Sequence, residues 1–152
     1  MRRSVRRIRI AHRYFPVTTL GFERGVGIWV AGCENDCQGC LAPELQNPRA
    51  GELMLVDDVV AWALECRGAD GLMWSGGEPM MQAAAVDTIV QHLNEAGAHL
   101  PVLLYTGLTL GEIMATGTSA QRRLLRHIDV LIDGRYRQEL GPAPRSYRDG
   151  TY

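Results

Sequence analysis

Four short apolar runs, separated by stretches with helical spacing, constrain this chain more than any other feature. They are Val26 to Ala31, Gly71 to Ser75, Val102 to Tyr105 and Val130 to Ile132. Each is apolar at consecutive positions rather than at alternate ones, which is the pattern of a strand buried on both faces. Between them, Val60, Ala61 and Leu64 share one helical face after Asp57, a plausible N-cap, and the pattern stops near Gly68. Val86, Ile89, Val90 and Leu93 repeat it from Met80 to Ala96, ahead of Gly97. Thr109 and Glu112 have capping-box spacing for a short helix, and Gln121 to Arg126 reads as another. Alternation of this kind predicts a parallel sheet covered by helices. Leu41 to Leu53, with Pro43, Pro48 and Gly51, reads as an irregular excursion. No repeat or linker divides the chain, so residues 1–152 read as one domain.

Length sets the upper bound. A closed eight-unit barrel takes about 250 residues, at roughly 30 for each strand-helix unit, so this chain holds about five units at most. The 152 residues carry 16 basic side chains, all arginine, against 17 acidic ones. That balance argues against a nucleic-acid or membrane-surface protein. Five of the arginines (Arg2, Arg3, Arg6, Arg7 and Arg9) fall within the first nine residues, so a basic arm precedes an acidic body. Residues 1–13 read as that arm or, since Arg7-Ile8-Arg9-Ile10 alternates, as a first strand. The arm is more often a solvated edge than a partner contact in such chains. An organelle presequence shares its basic, acid-poor composition, whereas a secretory signal would need an apolar run that is missing after Arg9. The tail over 141–152 has no periodic signal.

In sheets of this type ligands gather beyond the carboxyl ends of the strands. There the chain places Cys33, Cys37 and Cys40, then Ser75-Gly76-Gly77-Glu78-Pro79, then Thr106-Gly107, then Asp133-Gly134-Arg135. Three cysteines within eight residues are badly spaced for disulfides and point to metal or redox chemistry in a reducing cytoplasm. Structural zinc and ordinary cubane clusters both take four ligands. Cys66, in a predicted helix, is either a recruited fourth ligand or, more in keeping with its type, a small buried core residue. A cubane on three cysteines leaves one iron open to chelation by an amino acid's amine and carboxylate. If that amino acid were the methionyl part of S-adenosylmethionine, an electron from the cluster could cleave its carbon-sulfur bond to a 5'-deoxyadenosyl radical. Gly76 and Gly77 would let backbone approach a ligand closely, with Glu78 adding negative charge near the methionyl ammonium.

Cys33-Glu34-Asn35-Asp36-Cys37-Gln38-Gly39-Cys40 resembles the cluster motif of the radical S-adenosylmethionine superfamily, and Ser75 to Pro79 resembles its second hallmark. Gly39, Tyr105-Thr106-Gly107 and Val130-Leu131-Ile132-Asp133-Gly134 are similar to the branch that activates anaerobic (class III) ribonucleotide reductase. The likeness extends over about residues 14 to 140. It implies a partial, open parallel β/α barrel of about four to five strand-helix units. It also implies a 4Fe-4S cluster on Cys33, Cys37 and Cys40, and S-adenosylmethionine as second cofactor. Under it Ser75, Gly76, Gly77, Glu78 and Thr106 line that cofactor, Asp133 binds its ribose hydroxyls, and Arg135 takes its carboxylate. The partners implied are a glycyl radical enzyme and an external one-electron donor such as flavodoxin or ferredoxin. Two motifs of the branch differ: Gly21-Phe22-Glu23-Arg24 lacks a proline, and a closing run is reduced to Arg148-Asp149-Gly150-Thr151. Two other readings keep the residues but change the role: modification of a peptide or small molecule, or a non-catalytic zinc or iron-sulfur module.

Overall fold

A computed structural model describes residues 4–140. The four apolar runs become β2 (Gly25–Val30), β4 (Gly71–Gly76), β5 (Val102–Tyr105) and β6 (Val130–Ile132). These pair in parallel in the order β2-β4-β5-β6, and they shorten across the sheet from six residues to six, four and three.

The sheet is mixed rather than all parallel. The arm continues beyond Ile10 into β1 (Arg7–Val17), which runs antiparallel to β2, and β3 (Glu52–Leu55) adds antiparallel to β1. The six strands follow the order β3-β1-β2-β4-β5-β6. So the stretch from Leu41 to Leu53 is less irregular than its prolines suggest: Pro43–Gln46 forms a 3-10 turn and Glu52 opens a strand. Because β3 feeds directly into α1 (Val56–Glu65), the N-cap is Leu55, and Asp57 lies inside the first turn. There its carboxylate accepts the Ser4 N–H at 2.9 Å.

Helices α1 and α2 (Ala83–Glu95) cover one face. Val26, Ile28, Val30, Leu72, Trp74, Val102 and Leu104 meet Val59, Val60, Val86, Ile89, Val90 and Leu93 there in one core. Full burial of each such side chain stabilises the fold by about 1.5–3 kcal/mol. Between β5 and β6 in the chain, α3 (Leu110–Thr116) and α4 (Ser119–Leu125) add Ile113 and Leu124 to this core, and each begins with a full capping box, Thr109 with Glu112 and Thr118 with Gln121. Asp87, buried in α2, takes Arg123 at 3.1 Å and His127 at 2.7 Å, which fastens α4 to α2.

Met73 and Leu103 alternate to the other face and are buried there, Leu103 against Gly21 of the turn before β2. The turn before β2 closes its lower end. Phe22 packs against Gly25 and Gly71, and the Glu23 and Arg24 N–H groups donate to the Asp70 carboxylate. The missing proline of this turn is thus replaced by a ring and a carboxylate. Among the described residues no helix is long and apolar enough to cross a membrane. The tail motif from Arg148 lies outside the described residues.

Candidate functional site

The cysteine loop leaves β2 at Gly32, whose φ of 96° turns the chain off the sheet. Its base is pinned by Gly32 N donating to Leu45 O at 2.8 Å and Cys33 N to Gln46 O at 3.2 Å. Asp36 (φ 49°) and Gly39 (φ 73°) wrap the loop back, and Cys40 N reaches Cys37 O at 3.2 Å. All three thiols are unpaired and half-buried. Burial pushes the Cys33 thiol above its ordinary value. The Asn35 backbone N–H and carboxamide oppose that rise, while the charges of Glu78 and Cys37 add to it.

Among the described residues no three histidine, cysteine or acidic side chains are gathered tightly enough to hold one metal ion. A cubane presents a separate iron to each sulfur and so asks for wider spacing than a single ion does. Three soft sulfur donors on one short, half-exposed loop suit such a group chemically. Cys66 stands elsewhere, at the carboxyl end of α1, half-buried and donating to Trp62 O at 3.5 Å.

The turn after β4 is laced to the end of β2. Gly77 N donates to Val30 O and Glu78 N to Gly32 O, both at 2.8 Å. A Cβ at Gly76 would overlap the Val30 backbone, and one at Gly77 would overlap Gly32 O and crowd Leu45 O. The double glycine is therefore already required by the approach of one backbone to another. Ser75 lies next to it on the face it shares with Met73. Pro79 opens a 3-10 turn that leads into α2.

Glu78 is 2% exposed, and both its oxygens are engaged. Oε1 accepts the Thr106 hydroxyl at 2.7 Å and Met80 N at 2.9 Å; Oε2 accepts Gly107 N at 2.7 Å and the Asn35 carboxamide at 2.8 Å. Thr106 and Gly107 thus meet Glu78 directly. Asp133 sits at the end of β6 and accepts Leu110 N at 2.6 Å through Oδ2. Arg135 holds both oxygens of Glu112 at 3.0 Å through Nη1 alone. With Thr109, it keeps the exposed Glu112 carboxyl below the usual carboxylate range.

Turns from β2, β4 and β5 are therefore joined through Glu78, whereas Asp133 and Arg135 are attached to the start of α3. Two residues beyond the sequence expectations belong to this rim. Asn35 is one. Gln138 is the other, since its carboxamide occupies the space a Cβ at Gly39 would need. The glycine before Cys40 and Gly107 were the signals, since each lacks the Cβ that would collide with Gln138 or Asn35.

Residues 21–150 match the model of a family described as a 4Fe-4S single cluster domain. Relatives named anaerobic ribonucleoside-triphosphate reductase-activating protein match most of the chain, among them three from different sources. That of Vibrio cholerae serotype O1 is 32% identical over 84% of this chain and 84% of its own length. The Haemophilus influenzae protein is 30% identical over 84% of each, and that of Enterobacteria phage T4 is 28% identical over 81% of this chain and 77% of its own. With a match across most of its length on both counts, the chain belongs to the 4Fe-4S single cluster domain family, in the branch of the anaerobic ribonucleoside-triphosphate reductase-activating proteins.

Proposed function

We propose that this protein is a radical S-adenosylmethionine enzyme that activates a glycyl radical partner, an anaerobic ribonucleotide reductase. The observation that carries the reading is three unpaired cysteines at the end of β2, tied by side chain to the glycine turn after β4. A 4Fe-4S cluster bound there supplies the low-potential electron that cleaves S-adenosylmethionine reductively to a 5'-deoxyadenosyl radical.

The chain's own residues divide the remaining work. Cys33, Cys37 and Cys40 hold the cluster as thiolates. Ser75 and the backbone of Gly76 and Gly77 face the cofactor; Thr106 and Glu78, engaged with each other, support that surface from below. Asp133 keeps Leu110 through Oδ2, which leaves Oδ1 for the ribose hydroxyls. Arg135 spends only Nη1 on Glu112, so Nε and Nη2 remain for the methionyl carboxylate. This reading includes the sheet as an open partial barrel whose open side admits a protein loop. It also includes a one-electron donor such as flavodoxin or ferredoxin and a reducing, cytoplasmic setting.

Anaerobic reconstitution with iron and sulfide tests the reading. A brown protein with about four irons should convert S-adenosylmethionine to 5'-deoxyadenosine under reductant. It should also raise a glycyl radical signal on the reductase. Colourless, zinc-loaded protein would exclude this chemistry. A second reading, the same chemistry on a peptide or small molecule, is favoured by the Gly21-Phe22-Glu23-Arg24 turn; cleavage without radical on the reductase would select it.

The Asp133 assignment has its own check. Asp133→Ala should weaken S-adenosylmethionine binding about tenfold, as expected for loss of a hydrogen bond to a charged group, with iron content unchanged. Equal binding by the variant, measured by calorimetry, would remove Asp133 from the site.

A further inference from the structure

Asn35 lies between two of the loop cysteines, and its carboxamide donates to Glu78 Oε2 at 2.8 Å, 43 residues away in the chain. A carboxylate offers about four acceptor positions, and at Glu78 all four are taken by neutral donors. No ion pair to Glu78 occurs among the described residues. A buried charge held only by hydrogen bonds penalises the loss of any of them. Three of the four donors come from Met80, Thr106 and Gly107, which belong to the turns after β4 and β5. The fourth is the contact that brings in the cysteine loop. Among the described residues the loop is further tied by backbone bonds at its base, at Gly32 and Cys33, and Gln138 lies against it at Gly39.

Gly107 bears the complementary imprint. A Cβ there would overlap the Asn35 carboxamide, so the strand β5 turn carries glycine where the loop side chain docks. The same carboxamide also faces the Cys33 thiol.

We propose that Asn35 is a positioning residue that fixes the height of the cysteine loop over the turns after β4 and β5, acting through Glu78. The proposal rests on the radical S-adenosylmethionine reading, because loop height then sets the distance between the open iron and the cofactor's reacting bond. A misplacement of about 1 Å in a reacting geometry can cost about a hundredfold in rate.

Two variants reach this contact from opposite sides: Asn35→Ala removes the donor, and Gly107→Ala leaves the loop sequence intact but displaces it. The protein without iron gives the first readout. Both variants should be cut faster after the exposed Glu34 by a glutamate-specific protease, with melting temperature within a few degrees of wild type. In reconstituted protein, iron content should match wild type. The S-adenosylmethionine concentration needed to change the reduced cluster's EPR spectrum should rise about tenfold or more, and uncoupled cleavage should slow by one to two orders of magnitude, the scale of such a misplacement. Wild-type cutting rates with a wild-type EPR response in both variants would overturn the proposal. So would iron lost in step with the response, since Asn35 would then serve retention rather than placement. A wild-type protein that binds iron but shows no response to S-adenosylmethionine would instead overturn the underlying reading, and this proposal with it.

Discussion

Alanine at Cys33, Cys37 or Cys40 is expected to leave the reconstituted protein without its brown colour and with almost no bound iron, while Cys66→Ala retains both. The difference follows from placement. The first three share one loop, so losing any of them leaves two ligands for a group that already lacks a fourth. Cys66 occupies the carboxyl end of α1, away from that loop, where its thiol donates to Trp62 O at 3.5 Å. Iron and sulfide assays on the four variants, with a thermal melt of each, settle the matter. Full iron retention in any of the loop variants would refute the ligand set, and iron loss in Cys66→Ala would name it the missing fourth ligand.

The second large effect concerns stability. Glu78→Ala removes one acceptor group and strands four donors, in a place where the parent side chain is 2% exposed. At about 1–3 kcal/mol for each unsatisfied buried group, softened by water entering the vacated space, the loss should come to about 3–5 kcal/mol. For a chain of this length each kcal/mol moves the melting point by about 2–4 °C, so the apoprotein should melt on the order of 10 °C lower. Glu78→Gln should fall between, because its amide can still accept at one end but presents donors to donors at the other. An alanine variant that melts within about 2 °C of wild type would show that the four hydrogen bonds do not hold the three turns together.

Which parts of the fold can be read in the sequence depends on how many faces of a strand are buried. β2, β4, β5 and β6 lie inside the sheet or at its short end and are apolar at successive positions, so their bounds come within a residue of expectation. β3 shows one buried residue in four, Met54, and its Glu52 looks like loop. The outer half of β1, from Ala11 to Tyr14, is polar and largely exposed for the same reason. The Thr109 and Glu112 capping box was legible because its partners stand three positions apart, whereas Asp57, expected as an N-cap, lies inside the first turn because β3 feeds directly into α1. Glu78 was legible as a member of a motif but not as a keystone, since three of its donors come from Asn35, Thr106 and Gly107, 28 to 43 residues distant. The contact between Arg135 and Glu112 spans 23 residues and was invisible for the same reason.

The shortening of the parallel strands gives the rim a gradient of stiffness. The cysteine and glycine turns hang from six-residue neighbours deep in the sheet, whereas Asp133 and Arg135 hang from a three-residue edge strand whose Val130 is 49% exposed. Backbone amides should therefore exchange with deuterated water slowly around Gly32 and Gly76 and quickly around Ile132 to Arg135. A ligand that bridges both sides would have to order the soft side as it binds. It would lose part of its affinity to that ordering and leave its clearest mark as new protection on β6, the side furthest from the cysteines.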